Sequence, residues 1–455
     1  MAKSITKFVC NNCGAQYSSW TGRCAQCGEW NTIAEEVQIA AAVGVGLGKK
    51  AGAGTVLKPQ AVGVSAAADD TRMPTGIADV DAVLGGGIVA GSVNLIAGQP
   101  GIGKSTLLMQ LASQVAQNHR VLYVSGEESE HQVGMRAQRL GVAGVERLQL
   151  ATTNIAEDIA ATVSDGNYDF VVVDSIQTMT VKEVASAPGS VSQITNSTAV
   201  LVAAAKRSDT AMFVVGHVTK EGSIAGPKVL EHIVDVVLQL EGDAYGGFKV
   251  LRATKNRFGP TSEAAILEMD ERGLHPVENP SQALLAERQV SDGSVVLATL
   301  EGTRPLLVEV QALVNKTSYG YPKRAASGID LNRVSLLVAM LERRTKLNLA
   351  EQDIYINIVG GIRLNDPAAD LAICMAIGSA AKGLQLKQNA VVFGEVGLSG
   401  EVRHVPFIEK RVAEAKKLGF EVVIGPKERG AKAGKLSLLH AVPDVRTALN
   451  EFLEK

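Results

Sequence analysis

The sequence predicts an α/β protein: a phosphate-loop core on a mainly parallel sheet, with a small four-cysteine zinc module ahead of it and an α+β domain behind it. Three observations carry that expectation. Gly98-Gln99-Pro100-Gly101-Ile102-Gly103-Lys104-Ser105 matches G-x-x-x-x-G-K-[ST] at every fixed position, between an apolar run and a helical pattern, the order a phosphate-binding loop requires. Four of the five cysteines fall in Cys10-x2-Cys13-x10-Cys24-x2-Cys27, the spacing of metal ligands. Apolar strands then alternate with helical patterns through the middle of the chain, as in a sheet covered by helices on both faces.

At 455 residues the chain has the length of about three domains, each able to bury its own core. The 45 Lys and Arg nearly balance 47 Asp and Glu. That excludes a global positive field, so any contact with a polynucleotide must come from local patches. The N-terminus lacks the apolar core of a signal peptide, and no later run is long and apolar enough to span a bilayer. A cytoplasmic protein without membrane contact is expected.

Residues 1–33 are expected to form the zinc module. Each C-x-x-C closes a knuckle that turns two thiolates toward one point, and two knuckles complete a tetrahedral four-sulfur site for Zn²⁺. Gly14 and Gly28, each just after a knuckle, supply the permissive backbone. Paired redox dithiols or a rubredoxin-like iron site are the competing readings. A segment this short has too little apolar surface to fold alone, so the metal would hold it together. Trp20 and Trp30, the only tryptophans in the chain, either cover the knuckles or offer their rings to bases or a partner. From 34 to 70 the composition shifts to Ala, Gly and Val with scattered charge, which reads as a flexible linker.

The core domain is expected over 71–275. Ser92–Ala97 has the length and composition of a buried strand, and Leu107, Leu108, Leu111 and Val115 follow the loop at helical spacing. The loop glycines let successive N–H groups point inward at a polyphosphate, and the new helix adds the positive end of its dipole. ATP would lie across Gly98, Gln99, Pro100, Gly101, Ile102 and Gly103, with Lys104 on the β- and γ-phosphates, the Ser105 hydroxyl on Mg²⁺ and Thr106 completing the cradle.

Later strands end in polar groups. Val121–Val124 runs into Ser125-Gly126-Glu127-Glu128-Ser129, where Glu127 or Glu128 could polarise the attacking water; alternatively the pair opens a helix, where acids favour the dipole. Phe170–Val173 ends in Asp174, placed to hold Mg²⁺. Ala211–Val215 leads to His217, a candidate nucleotide sensor or ordinary hydrogen-bonded filler. Lys255-Asn256-Arg257-Phe258-Gly259 follows the strand-like Phe248–Arg252. On an extended chain Lys255 and Arg257 point the same way, two cations that repel unless an anion lies between them. A γ-phosphate on a neighbouring subunit would serve, and a solvated basic turn is the competing reading.

These residues carry a resemblance. The loop, the Glu127-Glu128 pair and the Asp174 strand resemble the RecA-like core, and Thr75-Gly76-Ile77-x-x-x-Asp81-x-x-Leu84-Gly85-Gly86-Gly87 resembles the branch shared by KaiC-type and DnaB-type ATPases. With the Lys255–Gly259 stretch, the four-cysteine finger and the C-terminal region, the chain resembles the RadA, or Sms, family of bacterial DNA repair proteins over all but the linker. The resemblance implies an ATP-dependent DNA helicase of homologous recombination. It implies a homo-oligomer, a hexameric ring around single-stranded DNA, that promotes branch migration on branched DNA beside RecA and joins the nucleoid during repair. It implies that Lys255 and Arg257 act on the neighbouring subunit's nucleotide, and that Lys220 to Lys228 and Thr178 to Pro188 line the channel, Lys220 and Lys228 touching DNA. A KaiC-like regulatory ATPase and an ATP-dependent protease are the alternatives.

A linker is expected over 276–289 and the last domain over 290–455. Gly302–Gln311 alternates polar and apolar residues over its second half, as a half-buried strand does. Leu331, Val334, Leu337, Val338 and Leu341 mark an amphipathic helix. Asp366-Pro367 opens another, Asp as cap and Pro in the first turn, with Cys374 as a small core residue inside it. The region resembles the peptidase domain of Lon, an α+β fold of the ribosomal S5 domain 2-like class. Asn365-Asp366-Pro367-Ala368-Ala369-Asp370 stands where that family has D-G-P-S-A-G, so Ala368 replaces the nucleophile, and the family's Lys falls at Glu409, next to Lys410. An alanine has no oxygen to attack a carbonyl, so no Ser-Lys peptidase operates here. Between Glu401 and Lys435 nine Lys or Arg stand against five acids. Arg403, Lys410 and Arg411 are therefore candidates to bind duplex DNA; a solvated helix of alternating sign is the competing reading.

Overall fold

The computed structural model describes residues 5–10, 16–17, 19–26, 30, 33–38, 72–217, 229–242, 248–318, 320–387, 389–428 and 436–454. The chain divides into two compact units, 1–70 and 71–455. In the first, strand β1 (Ile5–Cys10) pairs antiparallel with β2 (Gln16–Tyr17) and β3 (Ile33–Gln38). Cys10 and Cys24 are buried. The Tyr17 hydroxyl lies 3.1 Å from Cys24 Sγ and accepts the Ala25 N–H at 3.0 Å, which ties the second knuckle to the sheet. Cys13, Cys27 and the 39–70 stretch lie outside the described residues.

The second unit opens with α1 (Ala78–Leu84). The core strands are β4 (Val93–Gly98), β5 (Val121–Ser125), β6 (Leu148–Thr152), β7 (Phe170–Asp174), β8 (Ala211–His217), β9 (Val236–Gly242), β10 (Phe248–Asn256), β11 (Ala264–Asp270) and β12 (Gly273–Pro276). They form one sheet in the order β12-β11-β10-β9-β4-β8-β7-β5-β6. From β9 to β6 every neighbour is parallel, and β10 to β12 add an antiparallel edge. Between the strands run α2 (Lys104–Val115), α3 (Glu130–Arg139), α4 (Ala156–Gly166), α5 (Val191–Ser208) and α6 (Val229–Ile233).

The central strands β4, β5, β7 and β8 are buried and largely apolar because both faces are covered. Along β7, Phe170 and Val172 join Leu107, Leu108 and Leu111 on one face, while Val171 and Val173 join Ile159, Val163 and Leu201 on the other. That alternation at period two divides a single apolar run between two cores.

Residues 276–289 are not a bare connection. They hold α7 (Pro280–Leu285), capped by the Asn279 side chain on the Gln282 N–H. The buried Ser281 donates to Glu414 at 2.7 Å and accepts the Leu307 N–H at 3.1 Å.

Then come β13 (Ser294–Glu301), β14 (Arg304–Lys316), β15 (Arg324–Ser327), α8 (Leu331–Thr345), β16 (Gln352–Ile358), α9 (Ala369–Lys382), β17 (Gln385–Leu386), β18 (Ala390–Val392), β19 (Glu395–Val396), β20 (Val402–Arg403), α10 (Ile408–Lys417), β21 (Val422–Gly425), β22 (Leu439–Ala441), α11 (Val445–Phe452) and β23 (Leu453–Glu454). Seven of the strands make a sheet in the order β15-β16-β14-β13-β18-β21-β22. Its β13–β14 hairpin docks on the core: Glu301 meets Arg252 at 2.7 Å, and Arg304 meets Asp79 at 2.8 Å.

Two expectations for this region change. Gly302 is the hairpin turn, not strand, and Leu306 to Val310 are buried on both faces, Glu309 included, with alternation starting only at Gln311. The helix expected from Asp366-Pro367 begins at Ala369. Asp366 does accept an N–H, that of Ala368 at 3.0 Å, but its other oxygen is held elsewhere.

Candidate functional site

The glycine loop spans the end of β4 and the start of α2. Gly101 and Gly103 have φ of 77° and 113°, the left-handed region that glycine tolerates. A Cβ on Gly101 would touch nothing, whereas one on Gly98 would sit 2.6 Å from the Leu240 carbonyl oxygen. The cradle is therefore open where a ligand enters and tight where the strand ends. Gln99, Pro100 and Gly101 are exposed, Ser105 and Thr106 half-buried, and the Ile102 side chain is packed in the core. Lys104 is buried and donates to the Gly98 and Gln99 carbonyls, both at 2.9 Å. Burial pushes its ammonium down to about 8, against the pull of the Asp174 and Glu127 carboxylates.

Those carboxylates share the carboxyl edge of the sheet, where β5 and β7 end in register at Ser125 and Asp174. The buried Tyr123 phenol donates to Asp174 Oδ2 at 2.7 Å. Gly126 lets the chain pass β7, since a Cβ there would stand 2.4 Å from Thr178 Oγ1. The two glutamates are not equivalent. Glu127 accepts the Ser175 hydroxyl, next to Asp174, while Glu128 is ion-paired with Arg136 at 2.6 Å. Neither lies in a first helical turn: α3 begins at Glu130, behind a Ser129–Gln132 capping box.

The Lys255–Gly259 stretch is bolted to the Leu84–Gly87 turn. Arg72 donates to Gly85 O at 2.5 Å and to Phe258 O at 3.1 Å, and Asn256 donates to Val83 O at 3.2 Å. A Cβ on Gly259 would lie 2.6 Å from Gly85 Cα, so the two backbones touch. On this shelf Lys255 donates to the Glu231 and Val234 carbonyls at 2.5 and 2.7 Å. Arg257, 52% exposed, pairs with the buried Asp235 at 2.8 Å. An anion does lie beside the two cations, and it belongs to the same chain. Asp235 also accepts from Lys206 at 2.9 Å and from the Val93 N–H at 3.0 Å. Burial pushes its carboxyl up, but these donors and Arg257 together hold it below the usual carboxylate range.

Sequence reasoning missed Arg72, Tyr123, Arg136 and Asp235. Only Asp235 left a trace, as a carboxylate inside the apolar run Ile233-Val234-Asp235-Val236-Val237.

Of the residues expected to touch DNA, Lys220 and Lys228 lie outside the described residues, as does the His217 side chain. In the Thr178–Pro188 stretch, Gln193 on α5 accepts the Val181 N–H at 2.9 Å and donates to Val184 O at 2.7 Å. Arg403 is exposed and paired with Glu401 at 2.5 Å; Lys410 is exposed, over the Phe407 ring and 3.1 Å from Thr303 O. Arg411 is not a surface residue at all, at 0% exposure. Its guanidinium pairs with Asp366 at 2.8 Å and donates to Ala298 O at 2.6 Å. The basic excess read between Glu401 and Lys435 therefore loses one member to the core. The cation beside the Ala368 turn is Arg411, which α10 turns inward while Glu409 and Lys410 stay exposed.

A strand, a glycine loop and a helix, with carboxylates on the adjoining edge of a parallel sheet, define a P-loop ATPase with a RecA-like core. Residues 60–223 match the family model described as AAA domain, 8–35 match the Rubredoxin metal binding domain, and 330–429 match Subunit ChlI of Mg-chelatase. DNA repair protein RadA of Bacillus subtilis is 48% identical over 428 residues, covering 94% of this chain and 93% of its own. That of Pseudomonas aeruginosa is 46% identical over 457 residues and covers 100% of both chains, and that of Escherichia coli is 45% identical over 432 residues, 94% of each. The chain belongs to the DNA repair protein RadA family. Among the described residues no helix is long and apolar enough to cross a membrane.

Proposed function

We propose that this chain is an ATP-driven DNA motor of recombination and repair, a ring-shaped homo-oligomer that moves on single-stranded DNA and promotes branch migration beside RecA. The observation that carries the ATPase reading is the buried Lys104 held against the carbonyls of an open glycine loop, on the sheet whose strands β5 and β7 end in register at Ser125 and Asp174; the names of the relatives support the DNA. In this reading 71–275 is the motor, 1–33 the zinc module and 290–455 a domain without peptidase activity. The loop N–H groups and Lys104 bind the phosphates, and Ser105 with Asp174 would hold Mg²⁺. When bound, that ion neutralises charge on the phosphates. Glu127 orients the attacking water, and Glu128 ties the last turn of α3 to the end of β5 through Arg136. Cys10, Cys13, Cys24 and Cys27 would hold Zn²⁺ in the module, a reading the burial of Cys10 and Cys24 supports.

The test is ATP hydrolysis with and without single-stranded DNA, and strand movement on a three-strand junction with and without RecA. Both should be lost in Lys104→Ala. Glu127→Gln should lower hydrolysis by about 10²- to 10⁴-fold with nucleotide still bound, whereas Glu128→Gln should cost less rate and some thermal stability. Hydrolysis indifferent to DNA would remove the motor reading in favour of a regulatory ATPase.

A pH dependence follows from Lys104. Phosphate binds the charged ammonium and restores its ordinary pKa, so above about 8 each nucleotide bound must bring a proton. Affinity should fall as pH rises, by up to roughly tenfold per unit. Titration calorimetry at pH 9 in buffers of different ionisation enthalpy should register uptake of one proton; none would place the Lys104 pKa elsewhere.

A further inference from the structure

We infer that Trp20 and Trp30 form a stacking platform for unpaired nucleobases, which makes the N-terminal module a contact for single-stranded nucleic acid in its own right. They are the only tryptophans in the chain, and they are 60% and 67% exposed. A module with so little apolar surface would be expected to bury its largest rings, each worth about 150–250 Å² of contact. These rings stay outside on a backbone that is well held. Arg23 and Trp30 form an antiparallel bridge, and the Thr21 hydroxyl donates to Arg23 O at 3.2 Å. The next residue is the buried Cys24, beside the Tyr17 hydroxyl. Both indoles converge on Gly22, where a Cβ would stand 3.7 Å from Trp20 Cη2 and 3.9 Å from Trp30 Cζ3. Two exposed rings thus share one turn.

Charge selects the occupant. Residues 1–33 contain Lys3, Lys7 and Arg23 against a single acid, Glu29, in a chain whose net charge is −2. The Arg23 guanidinium lies 5.7 Å over the Trp30 ring. Aromatic faces beside the Arg23 cation, in a module of net positive charge, suit a strand that offers bases and phosphates together. Every base has a π-face, so the contact tolerates any sequence. The inference takes its single strand from the motor reading but concerns a contact outside the ATPase core.

The platform reports on itself, because no other residue contributes tryptophan emission. The full-length, zinc-loaded protein is titrated with a short oligothymidylate. Emission should be quenched, and an abasic oligonucleotide of the same length and charge should leave it unchanged. Trp20→Ala and Trp30→Ala, each read through the remaining ring, should move the midpoint about 5- to 100-fold toward weaker binding; Trp20→Phe, which keeps a ring, should move it less. Equal quenching by the abasic strand, none by oligothymidylate, or quenching only when a partner protein is added would each overturn the platform. Hydrolysis measured in the same samples separates the failures: DNA-stimulated turnover without quenching sinks the platform alone, and absence of both removes the motor reading as well.

Discussion

Alanine at both Lys255 and Arg257 is expected to lower DNA-stimulated ATP hydrolysis by about 10³- to 10⁵-fold, the range for loss of a cation supplied across a subunit boundary, while the variant's own loop still binds nucleotide. The shelf built from Arg72, Asn256 and the Gly85–Gly259 contact gives these cations a fixed base, and Arg257 keeps half of its surface in solvent. Within one chain, however, Arg257 also neutralises Asp235, and Lys255 binds the carbonyls at the end of α6. A purely internal role predicts loss of activity too, so turnover alone does not distinguish the two. Mixing does. Lys104→Ala subunits lack the loop's lysine but carry the cations, and the double variant has the reverse defect. If the cations act in trans, mixed assemblies regain hydrolysis that neither parent shows. If they act at home, mixing restores nothing, and Asp235→Asn should reproduce both the lost rate and a lowered melting temperature.

What the sequence disclosed about this site was what lies close along the chain. The glycine loop, the apolar run into Asp174 and the stretch from Lys255 to Gly259 are contiguous, and each carries its geometry in a few residues. The contacts that give them meaning are long-range: Arg72 reaches Phe258 across 186 positions, and Tyr123 reaches Asp174 across 51. No local pattern marks either residue. Glu127 and Glu128 look alike in sequence, and they part only because β7 delivers Ser175 to one while α3 delivers Arg136 to the other. The strand after Gly302 departs from the expected alternation for a related reason. Leu306 to Val310 contains a glutamate at an alternating position, which reads as a solvent face, yet Ser294 from β13 supplies Glu309 with a hydrogen bond at 2.5 Å inside the core.

Arg411 is the extreme case of a charge whose place cannot be read from its neighbours, and its removal should have the largest effect on stability. It sits among Glu409, Lys410, Glu414, Lys416 and Lys417, a series that looks like a solvated helix face. Yet its guanidinium lies 5.6 Å over the Phe393 ring and binds Asp366, Ala298 O and, through Nε at 3.3 Å, Pro406 O. Burial pushes the guanidinium pKa down, and Asp366 pulls it back. Arg411→Ala leaves the mostly buried Asp366 carboxylate without its cation and opens a guanidinium-sized hole, a loss of about 3–5 kcal/mol. Thermal unfolding of the full chain should show this as a drop of roughly 10 °C or more in the transition containing this domain. Arg411→Lys, which keeps the charge but not the fork, should fall between. Arg403→Ala and Lys410→Ala should leave the transition nearly unmoved and change only the salt dependence of DNA binding, if these side chains meet phosphate. The pair also bears on the missing peptidase chemistry. Asp366 binds both Arg411 and the Ala368 N–H, and a guanidinium that holds its proton cannot serve as a general base. Ala368→Ser should therefore restore a hydroxyl without restoring cleavage of casein, and proteolysis by that variant would show that another base lies within reach.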